Sequence, residues 1–325
     1  MLMGVGLLDA AQTLEHSYRT AGPAVHSAFD ETRQCLQSSS AVFKRGRDEM
    51  IFGTVVSSDG YLLTKASELG SLDGVTVIVD RETYENPELV SEDPVWDVAL
   101  VKIAARDLVP VNLLAGGEPE QGTWLVANGA TTRRARRVQV GVLAANTREV
   151  RVAGGTVLGV SLYGDEERVA IESVAKGGGA EVGGAQPGDV ILALDGKGVE
   201  NKEELLEILA EEQVGHVVTL EVLRGDDRLE LKIKLAGRSE IYGQSLSRND
   251  AMSGDFSERR TGFPRVMQHD IIGNSRWMGG PVFDLEGRCV GMNIARFSRC
   301  ETYAIPAAEM SQLIRELLPP TSAAK

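Results

Sequence analysis

Long hydrophobic runs are missing from this 325-residue chain. No stretch reaches the roughly 18 apolar residues that a helix needs to cross a bilayer, so no membrane span is expected. Aromatic residues are scarce at 5%, against 36 glycines, a balance that favours short strands and tight turns over long helices. Cysteine is limited to Cys35, Cys289 and Cys300, whose spacing fits neither a zinc site nor a disulfide framework, and the odd number leaves at least one thiol free. Cys289 and Cys300 can pair only if the hairpin between them places them opposite one another. No metal or cofactor is expected. Positive charge is in deficit: 34 Lys and Arg against 47 Asp and Glu give a net charge of −13. That argues against a nucleic-acid partner, since such binding rests on neutralising phosphates. The one basic run, "TTRRARR" (131–137), reads as solvated charge in a loop between strands. The opening "MLMGVGLLDAAQ" lacks the basic n-region of a secretory signal, and redox compartment stays open. Histidine occurs only four times.

The length exceeds what one core of about 250–300 residues serves, so more than one unit is expected. From Leu7 to about Gln37 the pattern is helical and amphipathic, broken at Gly22-Pro23, which sets residues 1–37 apart as an N-terminal helical segment. Residues 38–117 carry short β-branched runs, "SAVFKRG", "EMIFGTVVSS", "YLLT", "VTVIVD" and "DVALVKI", separated by Asp-Gly and similar turns, and describe a small antiparallel barrel. A second series in 118–153, "TWLVA", "VQVGVLAA" and "REVRVAG", stops at three strands, too few to close a core. It resumes in 262–325 with "GFPRVMQ", "PVFDL", "CVGMNIAR" and "TYAIP" and ends in a helix. Between these halves, residues 154–237 form a different α+β unit, whose helix opens with Asn201 three residues before Glu204 as a capping box. Leu205, Ile208 and Leu209 then make one apolar stripe. Residues 238–261 are polar and aperiodic and read as a flexible linker. The fold class is therefore mostly β: two barrels, the second interrupted by an inserted domain.

Five stretches in order, "GTVVSSDGYLLT", "EDPVWDVALVKI", "GTWLVANG", "GGPVFDLEGRCVGMNIA" and "YAIP", resemble the HtrA/Deg family of chymotrypsin-fold serine proteases. The resemblance covers most of residues 40–153 and 262–306 and implies two barrels with a catalytic cleft between them. The insert resembles a bacterial PDZ domain through "TVLGVSL" at the carboxylate-binding loop, "GGAQPGDVILALDG" and the groove helix. Family PDZ domains follow the protease, whereas this one interrupts it before the nucleophile loop. In the family, the connection between these strands carries a sensing loop, so an insert here is expected to transmit ligand binding to the cleft.

The resemblance places Ser67 where the family has its catalytic His, and Met278 where the nucleophilic Ser precedes Gly-Gly-Pro. Of the triad only Asp97 matches, in "DPVWDVAL", and it is expected to accept a hydrogen bond, from Ser67 among others. None of His16, His26, His216 or His269 stands where a triad imidazole works. A thioether has no proton to lose and forms no acyl-enzyme. Loss of such a nucleophile or base costs about a millionfold in kcat, roughly 8 kcal/mol of transition-state stabilisation.

Three rescues were weighed. Ser275 mimics a Gly-Asn-Ser loop if "RWM" is an insertion, yet lacks a base. Lys65 and Ser67 can form a Ser–Lys dyad only if the lysine is buried with a lowered pKa, and a solvated Lys65 is expected instead. Cys289 as a thiol nucleophile is set against the small buried hydrophobe that a lone cysteine of this kind usually is. Trp277 beside Met278 is expected to fill the vacated cleft.

In the insert, backbone amides in the loop before Leu158-Gly159-Val160 would hold a terminal carboxylate and the strand "GVSLY" would offer an open edge for β-augmentation, with Leu158, Val160, Leu205 and Leu209 lining a side-chain pocket. The competing reading makes these plain core residues, with the groove plugged by the chain's own linker. The expected function is that of an HtrA-like pseudoprotease, a non-catalytic scaffold taking peptide or protein C-termini and extended segments in its PDZ groove, with a link to protein quality control. The alternative is an active endopeptidase with a rebuilt site. The resemblance also implies an extracytoplasmic location, periplasmic or secreted, and a homo-oligomer.

Overall fold

A computed structural model of the chain describes residues 15–18, 22–131, 136–151, 155–165, 168–242, 252 and 254–319. It is mostly β, in three hydrogen-bonded assemblies and one small two-stranded ladder. The first comprises β1 (Ser40–Arg45), β2 (Asp48–Val55), β3 (Tyr61–Lys65), β4 (Val75–Val79), β5 (Glu82–Glu85), β6 (Glu88–Asp93) and β7 (Val98–Lys102), in the order β5-β4-β1-β2-β3-β7-β6. Its alternating Val and Leu residues face inwards, and the chain reverses at Gly60, where φ is +104° and a Cβ would strike the Ile103 carbonyl.

The hydrogen-bonded path of this first unit stays open between β5 and β6. Both edges are short and rich in exposed Glu, whose charge keeps them solvated rather than zipped together. Neither strand shows hydrophobic alternation, which is why both escape a reading of periodicity.

The second assembly is a closed barrel of β8 (Trp124–Thr131), β9 (Arg136–Val150), β18 (Phe263–His269), β19 (Pro281–Phe283), β20 (Cys289–Ser298) and β21 (Glu301–Pro306). The run "VQVGVLAA" and the first three residues of "REVRVAG" lie on the single strand β9, which pairs with β8 along its first half and with β18 along its second. Most of the basic run at 131–137 lies outside the described residues. Leu63, Val98 and Leu100 of the first sheet share one core with Val126, Phe283, Met292 and Ile294 of the barrel. That continuity holds the ends of β3 and β7 against the second barrel.

Between β9 and β18 the chain makes the inserted unit: β10 (Thr156–Val157), β11 (Val160–Asp165), β12 (Arg168–Val174), β13 (Val190–Leu194), β14 (Lys197–Gly198), β15 (Val217–Arg224), β16 (Asp227–Lys234) and β17 (Ala236–Gly237). Its sheet runs β11-β12-β13-β15-β16, leaving β11 at an edge, and its apolar core is separate from those of the barrels.

Of the helices, α1 (Pro23–Ser27) and α2 (Asp30–Ser39) precede β1, and Leu36 of α2 enters the shared core. A single helical turn, α3 (Ala66–Leu69), follows β3. In the insert, α4 (Gly179–Val182) packs on β16, and α5 (Lys202–Glu211) begins at Asn201, whose side chain accepts the Glu204 amide at 3.0 Å as the capping pattern predicts. After β17 comes α6 (Arg238–Tyr242), and α7 (Ala307–Leu317) closes the described chain, its Leu317 carbonyl accepting from Ser91 Oγ at 2.9 Å.

The reading of 238–261 as one flexible linker is corrected at both described ends. α6 is ordered, and Ser257, Arg259 and Arg260 are buried. Arg259 bonds the carbonyls of Pro94, Val95 and Gly262, and Arg260 that of Phe297, so arginine head groups rather than apolar periodicity fix this segment.

Candidate functional site

β3 alternates so that Leu63 and Lys65 share a face, and α3 then turns Ser67 towards the Pro94–Asp97 turn beginning after β6. Asp97 sits at φ +59°, a left-handed conformation that aspartate tolerates better than most side chains. Its Oδ1 accepts the Ser67 amide at 2.8 Å, while Oδ2 accepts both the Ser67 hydroxyl, at 2.8 Å, and the Lys65 ammonium. The ammonium also donates to the Arg259 carbonyl at 3.0 Å and lies 5.6 Å from the centre of the Phe263 ring.

The expectation of a solvated Lys65 is therefore overturned: it is fully buried, because a carboxylate as enclosed as Asp97 needs a counter-charge beside it. Lys65 and Ser67 both donate to Asp97 rather than to each other, which is not the geometry of a dyad. Glu68, the next residue, is held up at about 7 by burial, partly offset by Lys65, with Asp97 pushing the same way as burial. Its Oε1 is buried without a partner.

Across the cleft, a 3-10 turn at Ser275–Trp277 leads into Met278, whose side chain is buried. Three successive backbone amides of this loop, those of Trp277, Met278 and Gly279, are engaged within it or beside it. Trp277 N donates to Asn274 O at 3.1 Å, Met278 N to Ser275 O at 3.1 Å and Gly279 N to Asn293 O at 2.7 Å. An oxyanion hole needs such amides aimed at open space. The loop is stitched to the first sheet as well: Phe52 N donates to Met278 O at 3.1 Å and Thr54 Oγ1 to Gly279 O at 2.8 Å. Gly279 has φ +82°, and a Cβ there would lie 2.2 Å from the Phe52 carbonyl.

Ser275 turns away from Asp97, and both its amide and hydroxyl donate to Asp255 Oδ2, at 3.1 and 2.7 Å. Among the described residues no imidazole bonds to Asp97 or to a serine. His269 is buried, its Nε2 paired with Asn293 Oδ1 at 2.7 Å and its Nδ1 accepting the Ile271 amide at 3.3 Å, which fixes the Nε2–H tautomer. Burial pulls it down to about 4, so it is neutral at pH 7. His216 pairs with Glu212 on the inserted unit, and the side chain of His26 lies outside the described residues. Cys289 is a buried thiol pushed up to about 12 by desolvation, and all three cysteines are free.

Trp277 and Met278 do not line the space beside Ser67 and Asp97, and Met278 is buried at its own turn. A chamber of about 890 Å³ stands beside Ser67 and Asp97, walled on its far side by Val182, Val217 and Leu235 of the inserted unit and closed by Phe256 and Arg259. The inserted unit, rather than Trp277 or Met278, supplies part of its wall.

In the insert, the competing core reading holds for most of the proposed pocket. Leu158, Leu205 and Leu209 are buried in its core, because a unit this small needs every large apolar side chain to make one. Val160, Leu162 and Ile208 are only partly buried against it. Gly159 has φ +85° and sits close against Gly178, whose Cα would lie 3.3 Å from an added Cβ, giving the loop before β11 its tight turn.

Arg259 and Tyr242 emerge as site residues that the sequence did not reveal, while Lys65, considered there as half of a dyad, is instead the counter-charge of Asp97. For Lys65 a signal existed in its in-phase spacing with Leu63. Arg259 and Tyr242 lie in an aperiodic stretch that offers none.

With this geometry in place, likeness to known proteins falls on both parts of the molecule. Residues 156–235 match the PDZ domain family. A probable periplasmic serine endoprotease DegP-like from Pseudomonas fulva (strain 12-X) is 23% identical over 289 residues, covering 65% of this chain and 60% of the relative. Its counterpart in Ectopseudomonas mendocina (strain ymp) is 22% identical over 65% and 61%. Protease Do-like 8, chloroplastic, of Arabidopsis thaliana is 54% identical over 52 residues, 16% of this chain and 12% of that one. Among solved structures, the serine endoprotease from Yersinia pestis aligns with a TM-score of 0.35 and 16% identity over 64% of this chain and 97% of that one. This is a mostly β, PDZ-bearing chain. It is homologous to the DegP/HtrA serine endoproteases, and spans about 60% of the length of the two DegP-like relatives named above.

Proposed function

We propose that this chain is a non-catalytic DegP-like protein, a pseudoprotease whose PDZ domain takes peptide C-termini or extended segments. The observation that carries the reading is the occupancy of Asp97. The carboxylate that orients an imidazole in a working triad here accepts Ser67 N, Ser67 Oγ and Lys65 Nζ. Buried Met278, with its amide bonded to Ser275 O, supports the same conclusion at the nucleophile turn. Recognition then falls to β11, whose exposed edge suits an added strand. The relatives described as periplasmic favour an extracytoplasmic location, and the oligomeric habit implied by the family resemblance makes a homo-oligomer the expected assembly.

The test is incubation with unfolded casein and with a fluorophosphonate probe. Neither cleavage nor labelling is expected. Labelling of any serine that vanishes when that serine is replaced would establish the alternative, an endopeptidase with a rebuilt site.

A further inference from the structure

The segment leaving the PDZ domain folds back on the groove it has just completed. β17 pairs with β10 through Thr156–Gly237 and Val157–Ala236, and Arg238 N donates to Gly155 O at 3.1 Å. These bonds start α6 beside the Leu158–Val160 loop. Four residues on, the Tyr242 ring lies 5.5 Å from the Arg238 guanidinium, and its hydroxyl donates to the Val160 carbonyl at 3.1 Å.

Val160 opens β11, which pairs only with β12. A peptide that adds as a strand along β11 bonds through its N–H groups to this edge, and the carbonyl nearest the carboxylate loop is the acceptor its last residues reach. Tyr242 already holds that carbonyl.

We propose that Tyr242 is a built-in competitor for the PDZ groove, a latch that an incoming peptide displaces from Val160. The proposal rests on the peptide-binding reading above and adds its regulation. The ring is 47% exposed, so the latch is anchored by one hydrogen bond and the Arg238 contact rather than by a core, and it is reversible. Its neighbour Ile241 lines the chamber that Ser67 and Asp97 also line. Release of Tyr242 therefore moves a residue in the wall of the old cleft, which links groove and chamber through one short helix.

The test uses the full chain, as wild type, Tyr242→Phe and Tyr242→Ala. The probe is a synthetic pool of hexapeptides with free carboxylates, randomised at the last four positions, and affinities are measured on the peptides it yields. Removing a neutral hydrogen bond that competes with the ligand is expected to tighten binding about three- to tenfold in Tyr242→Phe. Saturating peptide is expected to speed amide exchange in residues 238–242 of the wild type. Equal affinities for wild type and both variants would overturn the latch and leave the groove reading intact. Absence of binding to every chain, with amidated and free peptides alike, would overturn the groove reading and the latch with it.

Discussion

The pair Lys65–Asp97 is the point at which the site can be broken most informatively. Both groups are enclosed, with side-chain exposures of 0% and 4%, and among the described residues each supplies the other's opposite charge in direct contact. Lys65→Met keeps the stem and removes the charge, leaving a buried carboxylate with two donors from Ser67. Asp97→Asn leaves a buried ammonium facing an amide. Breaking one side of such a pair costs about 3–5 kcal/mol, whereas removing both charges is close to neutral. The double variant is therefore expected to be more stable than either single one, with a coupling of about 2 kcal/mol or more. Urea unfolding followed by tryptophan emission reads this out. Trp96, Trp124 and Trp277 all lie outside residues 155–237, so the signal reports the barrel units without the PDZ domain. With a urea slope of about 2 kcal/mol per molar, each single variant loses roughly 2 M in midpoint. Single losses below about 1 kcal/mol, or strictly additive ones, would refute the claim that Asp97 is committed to Lys65.

Two further outcomes follow from the same neighbourhood. Glu68 has a folded-state value near 7 against an ordinary 4.5, so the native state holds the extra proton. Its contribution is complete below about pH 4.5, is lost as pH rises through 7, and is flat above. Glu68→Gln is expected to remove that decline and to exceed the wild type at pH 8 by about 3 kcal/mol in urea midpoints taken from pH 4 to 9; parallel profiles for the two chains would contradict it. Iodoacetamide at pH 8 is expected to alkylate exposed Cys300 and spare buried Cys289, and mass spectrometry showing equal labelling of the folded chain would revive Cys289 as a nucleophile.

The strands of the closed barrel and the PDZ core were legible because their apolar residues recur with strand or helix period. In the first sheet, turn residues such as Asp59-Gly60 between β2 and β3 mark strand ends in the same way. The short acidic strands β5 and β6 were not, since nothing in "RETYENPELVSED" alternates and their pairing depends on neighbours placed by β4 and β7. Residues 254–261 read as linker for a similar reason: arginine side chains bonding distant carbonyls leave no local pattern. The leucines read as lining a side-chain pocket were correctly found as apolar, and Leu158, Leu205 and Leu209 are buried in the core of the insert; periodicity reports which face is buried and not what covers it.

The sequence by itself determined which side chains stand at the positions that the family resemblance assigns to a triad, because Ser67, Asp97 and Met278 sit in short stretches whose order and turns are local. It also settled that the PDZ domain interrupts the second barrel. What those residues do was decided only by the tertiary structure. Lys65 reaches Asp97 from 32 positions away, and Arg259 brings its carbonyl from 194, so the pairing of a buried charge depends on partners that no local pattern specifies.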